Sequence, residues 1–378
     1  MQKTVAVLGG GIGGLSACYY LSKSPQVSKI VLLEGSGRLG GWLHSTRRED
    51  GAVAELGLES ELLPVTYDHV ASKNRFLFVG GQLHKMPSGL GGVVRTVPPF
   101  SQPLVLSVLK ELLIGRGKEG DETVHSFVSR RLGAELADIA IDCLCRGVFA
   151  GDCRKLSVRS CFPPLFNAEQ ARGSIVLGMV LGSGSGPVVP SSGLAQRAQR
   201  ERWAQWSLRK GMQSLPDALE DSLKGRVQIH KHTPVKELTQ GPGSWESLSE
   251  QLREISMVTV AVVNLEYEGS ILPVGFGHLI PSSEDRALLG VMMGGAWFQE
   301  VFGSLEEVTE KCFLDRAIQA DCIPQYHLGH WKRLENIRHY IDQHKLPLSL
   351  TGASYDGVSV NDVIFSGRKS VESLVGEV

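Results

Sequence analysis

Val5-Ala6-Val7-Leu8-Gly9-Gly10-Gly11-Ile12-Gly13-Gly14 is an apolar run that feeds directly into the pattern G-x-G-x-x-G. A second apolar run, Ile30-Val31-Leu32-Leu33, ends at Glu34. Strand, glycine turn, helix, strand and acid in this order make the dinucleotide-binding fingerprint in the context it requires. Gly9 permits the tight turn and Gly11 lets the backbone approach a pyrophosphate. Gly14 lets the helix from Leu15 to Leu21 lie close to the sheet. The N-terminus of that helix offers free N–H groups and a positive dipole end to an anion, so Gly10, Ile12 and Gly13 belong to the same cradle. Glu34 can accept a hydrogen bond from a ribose hydroxyl. The competing reading is a glycine turn without ligand, but three adjacent glycines are entropically costly for a turn alone.

NAD and FAD both use such a turn, and the following segments choose between them. Arg38-Leu39-Gly40-Gly41-Trp42 comes early enough after Glu34 to fold back over the same pyrophosphate. Its glycines allow a second close backbone approach, and Arg38 can neutralise phosphate charge. Near the other end, Leu348-Ser349-Leu350-Thr351-Gly352-Ala353-Ser354 reads as an apolar strand ending in glycine. A turn then runs through Ala353-Ser354-Tyr355-Asp356-Gly357-Val358-Ser359-Val360 to Asn361-Asp362, which could cap a last helix. Such a returning strand, turn and helix places backbone amides beside a flavin. FAD is therefore the expected cofactor.

These residues carry a resemblance. The Gly9–Gly14 turn, Glu34, Arg38–Trp42 and Gly352–Tyr355 resemble the flavin amine oxidase superfamily. Arg146-Gly147-Val148-Phe149-Ala150-Gly151-Asp152 with Leu156-Ser157, and Cys322-Ile323-Pro324-Gln325-Tyr326-His327-Leu328-Gly329-His330, are similar to blocks of the protoporphyrinogen oxidase family of the animal mitochondrial type. Asn74-Arg75-Phe76 and Trp203–Arg209 add to the likeness, which runs from end to end.

The resemblance implies an α/β chain, α+β overall: a Rossmann-like FAD-binding domain, a sheet-based substrate domain and a helical membrane-associated lobe. The expected spans are 1–65, 205–245 and 335–378 for the first, 66–95 and 246–334 for the second, and 96–204 for the third. Within them the pattern predicts strands at Val227–Ile229, Val235–Leu238 and Val258–Leu265, a hairpin of Phe76–Val79 turned at Gly80-Gly81 and a Gly/Ser/Pro-rich loop over 182–193, with Met292–Trp297 along the substrate cavity. The implied reaction is oxidation of protoporphyrinogen IX to protoporphyrin IX in haem biosynthesis, with O2 as acceptor and H2O2 as product. The cofactor carries that chemistry, so no catalytic acid or base is named. Gly41 and Trp42 would sit over the pyrophosphate, the backbone at Val235 would meet the adenine, and Ala353, Val358, Ser359 and Val360 would face the flavin. Arg75 would pair with a substrate propionate, with Phe276, Leu279 and Met292 as apolar walls. Each has a plain alternative: solvated surface for Arg75, sheet or core packing for Val235 and the apolar three. Other superfamily enzymes, such as amine oxidases or carotenoid-type desaturases, remain the competing enzyme class.

Length and composition set bounds. The chain has 378 residues, is 42% hydrophobic and carries a net charge of −1, so it can bury a large core and no nucleic-acid partner is implied. Seven cysteines suggest a reducing compartment rather than a disulfide framework. Cys143 with Cys145, and His230 with His232, lack a second ligand pair at metal spacing, so no metal is expected. With the first strand starting near Thr4, no cleavable presequence is expected. The implied location is the surface of the inner mitochondrial membrane, leaving open a homodimer and contact with the next enzyme of haem synthesis. Leu104–Ile114, apolar mainly on one face after Pro103, is either a core helix or the docking helix.

The chain also departs from the family. After Trp42 the family carries Glu-x-Gly-Pro-Arg-Gly, whereas here Gly51-Ala52-Val53-Ala54-Glu55-Leu56-Gly57 leads straight to Leu58-Glu59-Ser60-Glu61. A crossover strand is missing after Trp245, and further cuts precede Met292 and Cys322. The expectation is weakened flavin binding; a shortened form without activity stays the non-enzyme alternative.

Overall fold

The computed structural model describes residues 2–43, 61–182, 193–238, 246–265, 275–292 and 314–376. The replacement segment from Gly51 to Ser60, most of the Gly/Ser/Pro-rich stretch 182–193, and Met293–Trp297, expected at the substrate cavity, lie outside them.

The chain begins with β1 (Lys3–Leu8), α1 (Ile12–Leu21) and β2 (Val27–Leu33). β1 and β2 run parallel, Val5 opposite Ile30 through Leu8 opposite Leu33. β3 (Leu62–Thr66) precedes the hairpin of β4 (Arg75–Val79) and β5 (Gln82–Lys85). Gly80 and Gly81 turn this hairpin with φ of 61° and 73°, a two-residue geometry whose twist matches the strands.

Helices fill the next stretch: α2 (Leu104–Glu111), α3 (Val124–Leu132), α4 (Asp142–Phe149), α5 (Pro163–Arg172) and α6 (Ile175–Leu181). Thr123 caps α3 by accepting from the Ser126 N–H, and Gly133 closes it. Phe127, Val128, Phe149, Leu156 and Tyr326 form the lobe's core. Beside that core lies a buried charge cluster. Arg131 pairs with Glu111 at 2.9 Å and with Glu169, all three side chains out of solvent. Glu111 also accepts from the Ser174 hydroxyl at 2.5 Å and the Ile175 N–H at 2.8 Å, which ties α2 to the start of α6.

The chain returns to the first sheet through β6 (Trp203–Leu208), α7 (Ser214–Leu223) and β7 (Gln228–His230). β7 adds in parallel to β2, giving the order β7-β2-β1, while β6 pairs antiparallel with β3. The strand expected over Val235–Leu238 does not form. After β7 the chain turns at His232, φ 55°, and the His232 and Thr233 amides go to the Ser36 and Glu34 carbonyls of the loop after β2, so the chain leaves the sheet before Val235.

Four more strands follow: β8 (Met257–Leu265), β9 (Gly277–Leu279), β10 (Gly290–Met292) and β11 (Leu314–Pro324). β9 joins β4 in parallel, giving the sheet β10-β9-β4-β5, and β8 with β11 makes a separate antiparallel ribbon. The chain then forms α8 (His330–Gln343) and α9 (Val360–Val375). The strand expected at Leu348–Leu350 is likewise absent. Leu348 and Leu350 pack with Leu334, Ile337 and Ile341 of α8, so side-chain burial rather than a ladder holds this segment. Leu15 and Leu21 of α1, Leu223 of α7, and Val371 and Val375 of α9 cover one face of the parallel sheet. On the other face of β1, Leu8 is 43% exposed.

Arg131→Ala should destabilise the helical lobe by about 3–5 kcal/mol, because it leaves the buried Glu111 carboxylate without its charged partner and Glu169 with Arg130 alone. Arg131→Lys should recover only part, lacking the planar fork of donors. Denaturant unfolding monitored by helical circular dichroism checks both; a loss below about 1 kcal/mol would mean that the carboxylates reach water after the substitution.

Candidate functional site

Three stretches of backbone converge on the first turn of α1. The first is the glycine turn itself. Gly9, at φ 95°, donates to the Leu33 carbonyl at 2.8 Å, and a Cβ on Gly14 would stand 1.9 Å from the Gly9 carbonyl oxygen. Gly11 is the N-cap of α1 and no side chain caps it, so the N–H groups of Ile12, Gly13 and Gly14 are left to other partners. Glu34 braces the turn: one oxygen accepts from Gly10 N–H and the other from Ser36 N–H, both at 2.7 Å. Burial alone would push its carboxyl up, but these amides and the Arg38 charge hold it below the usual carboxylate range.

The second stretch is Arg38–Trp42. Gly40 donates to the Gly10 carbonyl at 2.8 Å, and a Cβ on Gly41 would stand 3.1 Å from the Gly11 Cα. The Arg38 guanidinium, expected at a phosphate, donates to the Gly41 carbonyl at 2.5 Å and so shapes this loop. Trp42 is exposed beside it.

The third is the segment before α9. A Cβ on Gly13 would stand 3.1 Å from Val363 and 3.5 Å from the Gly352 Cα. Ser16 donates to the Ile364 carbonyl at 3.0 Å, fixing α9 against α1. The helix cap is Ser359, not Asn361-Asp362: Ser359 accepts from the Asp362 N–H, and Asp362 reaches back to the Ser359 N–H as its capping-box partner. Ala353 adjoins Gly352 beside Gly13, Ser359 and Val360 stand at the start of α9 ahead of Val363, and Val358 packs on the helical lobe's core. Val235 is exposed, one residue beyond Pro234, which lies 3.6 Å from a Cβ built on Gly35 in the loop after Glu34. The space enclosed is a cradle, since a Cβ on Gly9 or on Gly352 would meet nothing within 4 Å. Its walls at these points are backbone, open to a ligand approached by amides.

Arg75 and Met292 lie at one end of the second sheet. Arg75 pairs with Gly277 in register, and Met292 is opposite Gly277 from the other side. Arg75 and Met292 are exposed, Met292 by 73%. Phe276, also exposed, precedes the strand and donates its N–H to the Asn74 carbonyl at 3.1 Å. Leu279 is apart from them: it packs with Leu77, Phe100 and Cys143 and against Gly147 of α4, the core side of its two readings.

Two groups without an assigned role from sequence join the lobes. Arg146 donates to the carbonyls of Ile280, Asp285 and Leu288 at 3.1, 2.6 and 2.9 Å, while Asp142 accepts from the Ser282 N–H at 2.6 Å. The Tyr326 hydroxyl donates to the Ala353 carbonyl and accepts from the Gly357 N–H at 3.0 Å. Their partners are backbone groups far along the chain, so no spacing signals them. Burial pushes the Cys143 thiol up to about 12, and among the described residues no cluster of His, Cys, Asp and Glu could hold a metal ion.

The family model for flavin containing amine oxidoreductases matches residues 12–263. The chain belongs to that family. It is an oxidoreductase whose cofactor is FAD, and the cradle around α1 fits that group. The chain is 45% identical to the protoporphyrinogen oxidases of Macaca fascicularis and Homo sapiens, covering 100% of this chain and 99% of each relative. Those alignments span 473 positions; subtracting the 378 residues of this chain leaves 95 positions at which it has none. A crystal structure of a candidate protoporphyrinogen oxidase from Exiguobacterium sp. 255-15 shares the fold, with a TM-score of 0.68 at 21% identity over 99% of both chains.

Gly14→Ala should remove flavin from the purified protein, because its Cβ forces α1 off the Gly9 carbonyl. Gly91→Ala, where a Cβ meets nothing within 4 Å, should leave flavin content unchanged. Chromophore released by acid should migrate with FAD and not with NAD. Equal flavin content in the two variants would refute the role of this contact.

Proposed function

We propose that the chain oxidises protoporphyrinogen IX to protoporphyrin IX with bound FAD, O2 taking the electrons and leaving as H2O2, as a step of haem biosynthesis. The observation that carries this reading is the 45% identity along 99% of the animal protoporphyrinogen oxidases. When bound, FAD supplies the electron acceptor. The chain's own residues bind and orient. Gly9–Gly14, with the first-turn N–H groups, and Gly41-Trp42 hold the pyrophosphate, and Arg38 keeps the second loop in shape. Glu34 retains lone pairs for a ribose hydroxyl, and the backbone at Val235 borders the adenine. Ala353, Val358, Ser359 and Val360 present backbone to the flavin. Arg75 pairs a propionate while Phe276 and Met292 wall the macrocycle; Leu279 supports that wall from within the core. Porphyrin fluorescence appearing with O2 uptake tests the reaction, and turnover of amines in its place would overturn it. Arg75→Ala should raise KM roughly ten- to a hundredfold, from loss of one charge-assisted contact of about 1.5–3 kcal/mol, with flavin content unchanged. An unchanged KM would return Arg75 to the solvated surface.

The helical lobe is the proposed contact with the inner mitochondrial membrane. Among the described residues no helix is long and apolar enough to cross a membrane. The only buried side chain of α2 is that of Glu111, while Leu109 is 55% and the following Leu113 87% exposed. Met179, Val180 and Leu181 of α6 are also exposed, and Glu111 ties the two helices together. This supports docking rather than core packing for Leu104–Ile114. Liposome flotation should be reversed by detergent more readily than by salt, and Leu109→Glu should reduce it while the melting temperature holds. A wild-type protein that stays wholly in solution would remove this proposal.

A second reading, weakened flavin retention, has its own support. The 95 absent positions go with an exposed Leu8 on β1 and an exposed Ile318, Val262 and Val263 on the β8–β11 ribbon. Surfaces that a longer sheet would cover are open. The 378-residue protein should purify with less than stoichiometric FAD, and reinstating family-like segments should restore it. Stoichiometric FAD with full turnover would show those segments to be dispensable.

A further inference from the structure

We infer that Tyr326 is a positioning residue for the flavin half of the cofactor, its hydroxyl fixing the Ala353–Gly357 turn and His330 fixing its ring. This rests on the FAD reading above and adds to it a residue outside the glycine turn and its partner loops.

The turn from Gly352 to Gly357 belongs to neither helix nor strand, so something else must set its shape. Tyr355 N–H donates to the Gly352 carbonyl at 3.2 Å and Arg338 pairs with Asp356 at 2.7 Å, but one hydroxyl bridges the turn's two ends, donating to the Ala353 carbonyl and accepting from the Gly357 N–H. Burial pushes the Tyr326 pKa up, so the phenol keeps its proton and stays a donor. The residue is itself rigidly held. Its carbonyl accepts from the Ser157 N–H at 2.8 Å, and the neighbouring Gln325 donates to the Phe149 carbonyl at 2.7 Å and to the Ser256 carbonyl at 2.9 Å. The helical lobe and the end of β11 thus meet at the base of this side chain, and the cofactor turn hangs from its tip.

His330 lies flat beneath it, ring centroids 4.3 Å apart and planes 11° from parallel. It is 1% exposed, and neither ring nitrogen has a partner within hydrogen-bond limits among the described residues, although the Ser354 backbone of the turn stands near enough to favour the charged ring. Burial lowers its pKa to about 4, against the opposing pull of the Ser354 backbone, so the ring is neutral at pH 7 and acts as an uncharged stacking plate. The turn matters to the site because Gly352, at its start, lies 3.5 Å from where a Cβ on Gly13 would stand. A turn released from Tyr326 would move the backbone facing the flavin but leave the ADP half, read by Gly9–Glu34, in place.

Titrating FAD and, separately, ADP into apoprotein tests this. Tyr326→Phe should weaken FAD by roughly five- to tenfold, the worth of one hydrogen-bond bridge, leave ADP affinity unchanged and alter the visible circular dichroism of bound flavin. His330→Phe should preserve the FAD affinity and His330→Ala should lose part of it. Unchanged FAD affinity and spectrum in Tyr326→Phe would overturn the inference alone, as would equal losses for FAD and ADP, which mark general damage. Wild-type protein that takes up neither ligand would bring down the FAD reading first and this inference with it.

Discussion

The site depends on how closely backbone can approach the first turn of α1. Gly14 sits on the Gly9 carbonyl, Gly41 on Gly11, and Gly352 beside Gly13. Gly367, inside α9, would place a Cβ 3.0 Å from the Gly13 carbonyl oxygen and from Ser16. Any side chain at these points would hold the elements apart by the thickness of a methyl group. Without one, α9 lies directly on α1, and the segment leading into it is delivered to the helix N-terminus. The exposed N–H groups and the dipole end then face a space bounded by amides rather than side chains.

The lobes are joined by a different device. Arg146, Asp142, Gln325 and Tyr326 each reach from one lobe to backbone groups of another. Backbone partners make such joints insensitive to the side chains of the segment they hold. The Arg131 cluster follows the same logic within the helical lobe. It spends two carboxylates and a guanidinium on locating α2 and α6, whose outer faces are apolar.

The parallel sheet beneath the cradle is thin. Among the described residues it has three strands, with β1 at one edge, and the ribbon of β8 and β11 stands apart from it. The glycine turn, the second loop and the terminal turn are all present around α1. β1, α1, β2 and Glu34 are contiguous in the chain, whereas the second loop and the terminal turn reach α1 from separate parts of it.

The amino-acid sequence by itself determined the β1–α1–β2 unit, the acid at Glu34, the Gly80–Gly81 hairpin and the family. These are local patterns: alternation, helical spacing and glycine where φ must be positive. It also pointed to Arg75 and Met292, but not to their pairing about Gly277, which strand register sets. It predicted strands at Val235–Leu238 and at Leu348 onward, and both segments are irregular: the chain leaves the sheet at His232 and Thr233, whose amides go to loop carbonyls, and Leu348 and Leu350 are held by packing on α8. Leu279 and Met292 look alike as sequence; one is packed on Gly147 and the other is open to solvent. Whether α2 is core or surface, and what the phenol of Tyr326 holds, depends on contacts between residues far apart in the chain. Those contacts leave no periodic trace in the sequence, and only the tertiary structure decided them.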